Sequence, residues 1–118
     1  MPDLSEKILP RLKAHRLLEL DLGTEIIYPN YDGYSLLNLP GGICRLLGIP
    51  VFGSPPLADE LLNPRMSHYR RVVLLVLDGL GLFRFQGYLQ QGLGAAWKEL
   101  LPQATLAPLT SSLPPLVT

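Results

Sequence analysis

At 118 residues, 47% of them hydrophobic, and with a mean hydropathy of +0.23, the chain has enough apolar material for one modest core and is too apolar for a free coil. Ten basic and ten acidic residues give a formal charge of zero, which excludes the broad electrostatic footprint of a nucleic-acid or anionic-membrane binder. Twelve prolines and eleven glycines predict frequent breaks in regular structure.

Met1-Pro2-Asp3 lacks the basic and then apolar order of a secretory signal, and no apolar run is long enough for a bilayer. These features predict a cytoplasmic protein with no membrane partner. Over residues 4–20, Leu4, Ile8, Leu12, Leu17, Leu18 and Leu20 recur at mostly helical spacing, with Lys7, Arg11, Lys13 and Arg16 for the wet face. The pattern predicts an amphipathic helix, interrupted or initiated at Pro10. His15 lies in it without a second ligand one turn on, so it reads as a surface or partly buried helix histidine.

Residues 24–28 fit a short strand leading into the turn-prone Pro29-Asn30-Tyr31-Asp32-Gly33-Tyr34. Asn38 is placed to cap a helix that tolerates Pro40 in its first turn and ends at Gly48. Gly41-Gly42 weakens the start of that helix and leaves room for a ligand or another backbone, but no Lys-Ser or Lys-Thr completes a phosphate loop. Cys44, the single cysteine, excludes an intramolecular disulfide and reads as a packed helical residue. Residues 49–56 read as a loop and 57–62 as a short helix.

The organising stretch is Val72-Val73-Leu74-Leu75-Val76-Leu77-Asp78-Gly79-Leu80-Gly81. Its apolar run has no polar face, which predicts a strand of a mostly parallel sheet covered by helices on both sides. Asp78 would then stand at the C-terminal sheet edge, where open α/β sheets place their chemistry, or would cap the helix that follows. Arg70-Arg71 reads as solvated strand-edge charge. His68 lies about 20 Å from Asp78 along such a strand and is badly placed to share a metal with it. Residues 82–93 fit a crossover helix, 95–101 a further helix carrying Trp97, and 105–109 the next strand. Thr110, Ser111 and Ser112 read as strand-end or turn hydroxyls.

These motifs together resemble the alkaline-phosphatase superfamily, in particular its bacterial nucleotide pyrophosphatase and phosphodiesterase-like members. Residues 73–81 resemble the first metal-binding strand and turn, residues 31–40 and 43–48 the leader of that subgroup, and 109–114 the approach to its nucleophile. The resemblance implies an α/β fold holding an incomplete alkaline-phosphatase-like core. Residues 1–64 would be a helical leader and linker, and 65–118 the start of the α/β domain. It implies that Asp78 is a metal ligand, and that Thr118 is both nucleophile and metal ligand. The complete parent would hold two divalent ions, Zn or Mn, and hydrolyse a phosphate diester or nucleotide-like small molecule. The family's remaining ligands have no counterparts here, so the resemblance implies an amino-terminal piece inactive on its own. The alternative is a noncatalytic α/β interaction module or remnant, open to self-association through apolar edges.

Overall fold

The structure, a computed structural model, describes residues 3–62, 68–92 and 95–112. Helix α1 spans Ser5–Ala14, α2 Leu39–Leu47, α3 Leu82–Gln90 and α4 Ala95–Leu100, with single 3-10 turns at Leu36–Asn38, Asp59–Leu61 and Leu101–Gln103. None of these helices is long and apolar enough to cross a membrane.

In α1 the spacing of Ser5, Ile8 and Leu12 gives one buried stripe. The Asp3 carboxylate accepts the Ser5 amide at 2.8 Å, satisfying an otherwise orphaned helix-start donor. The helix runs through Pro10 without interruption and stops at His15, whose extended backbone (ψ 140°) leaves the helical path. The expected helix over 4–20 is therefore shorter. Instead of continuing it, the chain loops back to Tyr28, which is 1% exposed. The Tyr28 hydroxyl accepts the Leu22 amide at 2.6 Å and donates to the Gly23 carbonyl, and the Arg16 guanidinium stacks over its ring at 5.1 Å. These contacts take the place of the strand expected over 24–28.

Helix α2 follows the expected outline, with Pro40 in its first turn, Cys44 buried, and Gly48 ending it in the left-handed region. Asn38 stands at its start, but its side chain turns away from the helix. The side-chain carbonyl accepts the amides of Gly33 and Ser35, and the side-chain amide donates to the carbonyls of Tyr31 and Pro55. Fully buried, Asn38 ties the loop at 31–35 to the one at 55. The Pro56 backbone lies where a Gly41 Cβ would be and the Leu57 side chain where a Gly42 Cβ would be, so the chain's own residues, rather than a ligand, fill the space beside that glycine pair.

Residues 104–112 return to this N-terminal unit. Leu106 bridges Asp3 and Thr110 bridges Ser35, both in parallel sense, and the Leu106 carbonyl accepts the Leu4 amide at 2.9 Å. Thr110 is the anchor. Its amide donates to Tyr34 O at 2.7 Å, its carbonyl accepts from Leu36, and its hydroxyl accepts the Asn30 amide and donates to the Tyr34 carbonyl.

This docking corrects the expected architecture. Among the described residues the chain is built from helices and turns, with isolated bridges and no sheet, so the α/β fold and the alkaline-phosphatase-like core are both overturned. The physical reason lies in partner supply. Residues 105–109 were the expected neighbouring strand, and they engage the N-terminal unit instead. Residues 72–77 run without bend or turn and make no main-chain hydrogen bond among the described residues. The last tie before them is Tyr69 N–H to Leu46 O at 2.7 Å.

Candidate functional site

The run that was expected to be a buried strand is on the outside. Val73 is 90% exposed, Val76 74% and Leu75 72%, with Leu74 and Leu77 also exposed. Val72 alone is half-buried, where it joins Leu46, Leu61 and Tyr69 in lining an open cleft of about 390 Å³. Arg70 and Arg71 precede the run and Asp78 follows it, all three exposed. A left-handed Gly79 (φ 69°) turns the chain away into α3, none of whose residues is buried. Phe85 of α3 meets Trp97 of α4 edge-on, with ring centroids 5.4 Å apart, an aromatic contact between the two helices.

Asp78 therefore has neither of the roles expected for it. It stands at no sheet edge, and α3 starts after Gly81 without a side-chain cap. Its carboxylate accepts the amide of the adjacent Gly79 at 2.7 Å, an ordinary turn contact. Thr118 lies outside the described residues. No group of three His, Cys, Asp or Glu side chains among the described residues is arranged to hold a metal. The phosphodiesterase, nucleotide pyrophosphatase and metal-binding expectations fall with the sheet that was to carry them.

The densest polar cluster lies elsewhere. Glu60, on the 3-10 turn, accepts from Lys7 Nζ at 2.5 Å, from the Arg11 guanidinium and from the Tyr34 hydroxyl. Arg11 also stacks over the Tyr34 ring at 5.2 Å. Donation from Lys7, Tyr34 and Arg11 holds the Glu60 carboxyl down at about 2. Burial, followed by the bond to Glu60, pushes the Tyr34 hydroxyl up, and the bond to Glu60 raises Arg11 further. A general acid or base works best with a pKa near the ambient pH, and these shifts lead away from it. The adjoining cavity of about 70 Å³ between Ile8, Leu12 and Tyr34 has room for a few waters. The cluster is a clamp joining α1 to the turn at Asp59–Leu61.

The sequence signal for the exposed site was present in the missing alternation. A half-buried strand alternates polar and apolar residues, whereas 72–77 offers two apolar faces and needs partners on both. The neighbouring strand expected at 105–109 anchors elsewhere, and the one expected at 24–28 gives way to the Tyr28 contacts. Compared with protein-family models, curated proteins and solved structures, the chain gives no significant match.

Proposed function

We propose that this chain is a noncatalytic interaction module: a small helical unit that displays residues 72–77 as a strand for main-chain pairing with another polypeptide. One observation carries the reading. Val73, Leu74, Leu75, Val76 and Leu77 stand exposed beside the half-buried Val72, and the backbone amides and carbonyls of all six are unpaired among the described residues. Their side chains hold no polar atom, so they cannot satisfy the backbone locally as Asn, Ser or Thr would. Pairing with a strand edge uses those groups and removes the apolar side chains from water in the same step. Burial of each Val or Leu contributes on the order of 1.5–3 kcal/mol. The same reading puts the chain in the cytoplasm, where its lone thiol, Cys44, stays reduced and packed.

The test is native mass spectrometry of the wild-type chain and of a Val73→Asp/Leu75→Asp double variant, isolated without denaturant. The wild type retains a second polypeptide, another copy or a different chain, at fixed stoichiometry. The variant loses it while keeping the wild-type unfolding midpoint. A wild type that is monomeric at every accessible concentration, or that forms only open-ended aggregates, contradicts the proposal.

A further inference from the structure

Resting on that reading, we infer that the partner is a second copy of this chain, paired antiparallel along 72–77 in a register centred on Leu74. The argument is one of charge and symmetry. Side chains directly opposite one another in an antiparallel pair share a face of the ribbon. A closed two-fold dimer therefore requires one residue to lie opposite its own copy.

Centring on Leu74 sets Val73 opposite Leu75, Val72 opposite Val76 and Arg70 opposite Asp78, with the last pair occurring twice by symmetry. Arg70 and Asp78 are both exposed. Centring one residue later sets Asp78 opposite Val72 and leaves both arginines without a carboxylate. A parallel, in-register pair stacks Arg70 on Arg70 and Asp78 on Asp78, which repels at both ends. The Leu74-centred register sets Arg70 opposite Asp78 at both ends and keeps residues 72–76 in mutual apolar contact, with Arg71 opposite Leu77.

The two faces of this ribbon are unequal. Arg70, Val72, Leu74, Val76 and Asp78 share one face, on which Val72 already leans into its own unit's cleft. Val73, Leu75 and Leu77 share the other, where a bare two-stranded ribbon is marginal in water. Helix α3 follows directly and leaves Phe83 65% exposed and Tyr88 43% exposed. The two copies of α3 supply the cover for that face, with Gly79 and Gly81 as the joint that folds them over.

The test is disulfide trapping in a Cys44→Ala background with single cysteines at 73, 74 and 75. Directly opposite Cβ atoms come within bridging range, whereas diagonal ones about 7–8 Å apart do not. Leu74→Cys forms a disulfide dimer under mild oxidation. Val73→Cys and Leu75→Cys do so only when mixed with each other. Arg70→Glu raises the dimer Kd about tenfold, and adding Asp78→Lys to it restores the wild-type value. Self-linking of all three single cysteines signifies a parallel pair and overturns the register. Dimer formation without any 74–74 preference over a Leu18→Cys control overturns the strand pairing. A native complex with a different chain and no self-dimer overturns this inference but leaves the module reading intact, whereas the absence of any partner removes both.

Discussion

Residues 28–38 and residues 72–77 both run largely outside helices, yet their backbones are treated oppositely. In the first, Asn30 N–H donates to the Thr110 hydroxyl, Asp32 N–H to the Asn30 side chain, Gly33 and Ser35 N–H to Asn38, and Leu37 N–H to the Ser35 hydroxyl. In the second no such bond is present among the described residues. Side-chain chemistry makes the difference. Short polar side chains close irregular backbone upon itself, whereas a run of Val and Leu can be satisfied only by another strand. The first region holds the fold together, and the second is left for a partner.

Asn38→Leu is the most damaging way to break the first region. It strands the buried Gly33 and Ser35 amides and removes the donor to the part-buried Tyr31 and Pro55 carbonyls. We expect a loss of about 3–5 kcal/mol, a large share of a small domain's stability, read as a lower urea midpoint. Thr110→Val is next. It removes a hydroxyl that both accepts from Asn30 and donates to Tyr34, and should cost about 1–3 kcal/mol. Limited proteolysis should then cut within 104–112 faster than in the wild type.

A matched pair of glycines sharpens the contrast further. Gly48 and Gly79 have nearly the same backbone, with φ of 67° and 69°. A Cβ at Gly48 would run into the His68 ring, whereas at Gly79 nothing lies within 4 Å. Gly48→Ala should lower global stability by about 1–3 kcal/mol. Gly79→Ala meets no neighbour and costs only the strain of a left-handed turn outside the polar network, about 1 kcal/mol read from the urea midpoint.

The smallest effect is expected at Glu60. Its folded pKa of about 2 lies below the ordinary 4.5, so the stability it contributes is complete above pH 4.5 and is lost as pH falls toward 2. Glu60→Gln should therefore be somewhat less stable than wild type at neutral pH. The gap should close as pH falls through that window and narrow when salt screens the exposed Lys7 and Arg11. Urea titrations at a series of pH values would show it.

Much of the helical framework was legible in the sequence. The stripe of Ile8 and Leu12 announces α1, and Pro40 followed by Gly48 brackets α2, because capping and periodicity are local. The network around Asn38 was not legible, since four bonds converging on one amide depend on where the loops at 31–35 and 55 meet. The run at 72–77 was legible as apolar and strand-forming but was assigned to the wrong environment. Burial of a strand depends on how many partner strands the whole chain can spare, and here Thr110 draws the expected neighbouring segment onto Tyr34 and Leu36. The likeness of residues 73–81 to a metal-binding strand and turn followed from that assumption and falls with it.

Residue-resolved amide hydrogen exchange of the wild-type chain, first dilute and then at rising concentration, tests the division most directly. The account predicts protected amides at Gly33, Ser35, Leu36 and Thr110 throughout, with residues 72–77 exchanging at free-chain rates when dilute and becoming protected as the concentration rises. Amides at 72–77 that are as protected as Thr110 in dilute solution, independent of concentration, would mean that the run is already paired within its own chain and would contradict the account.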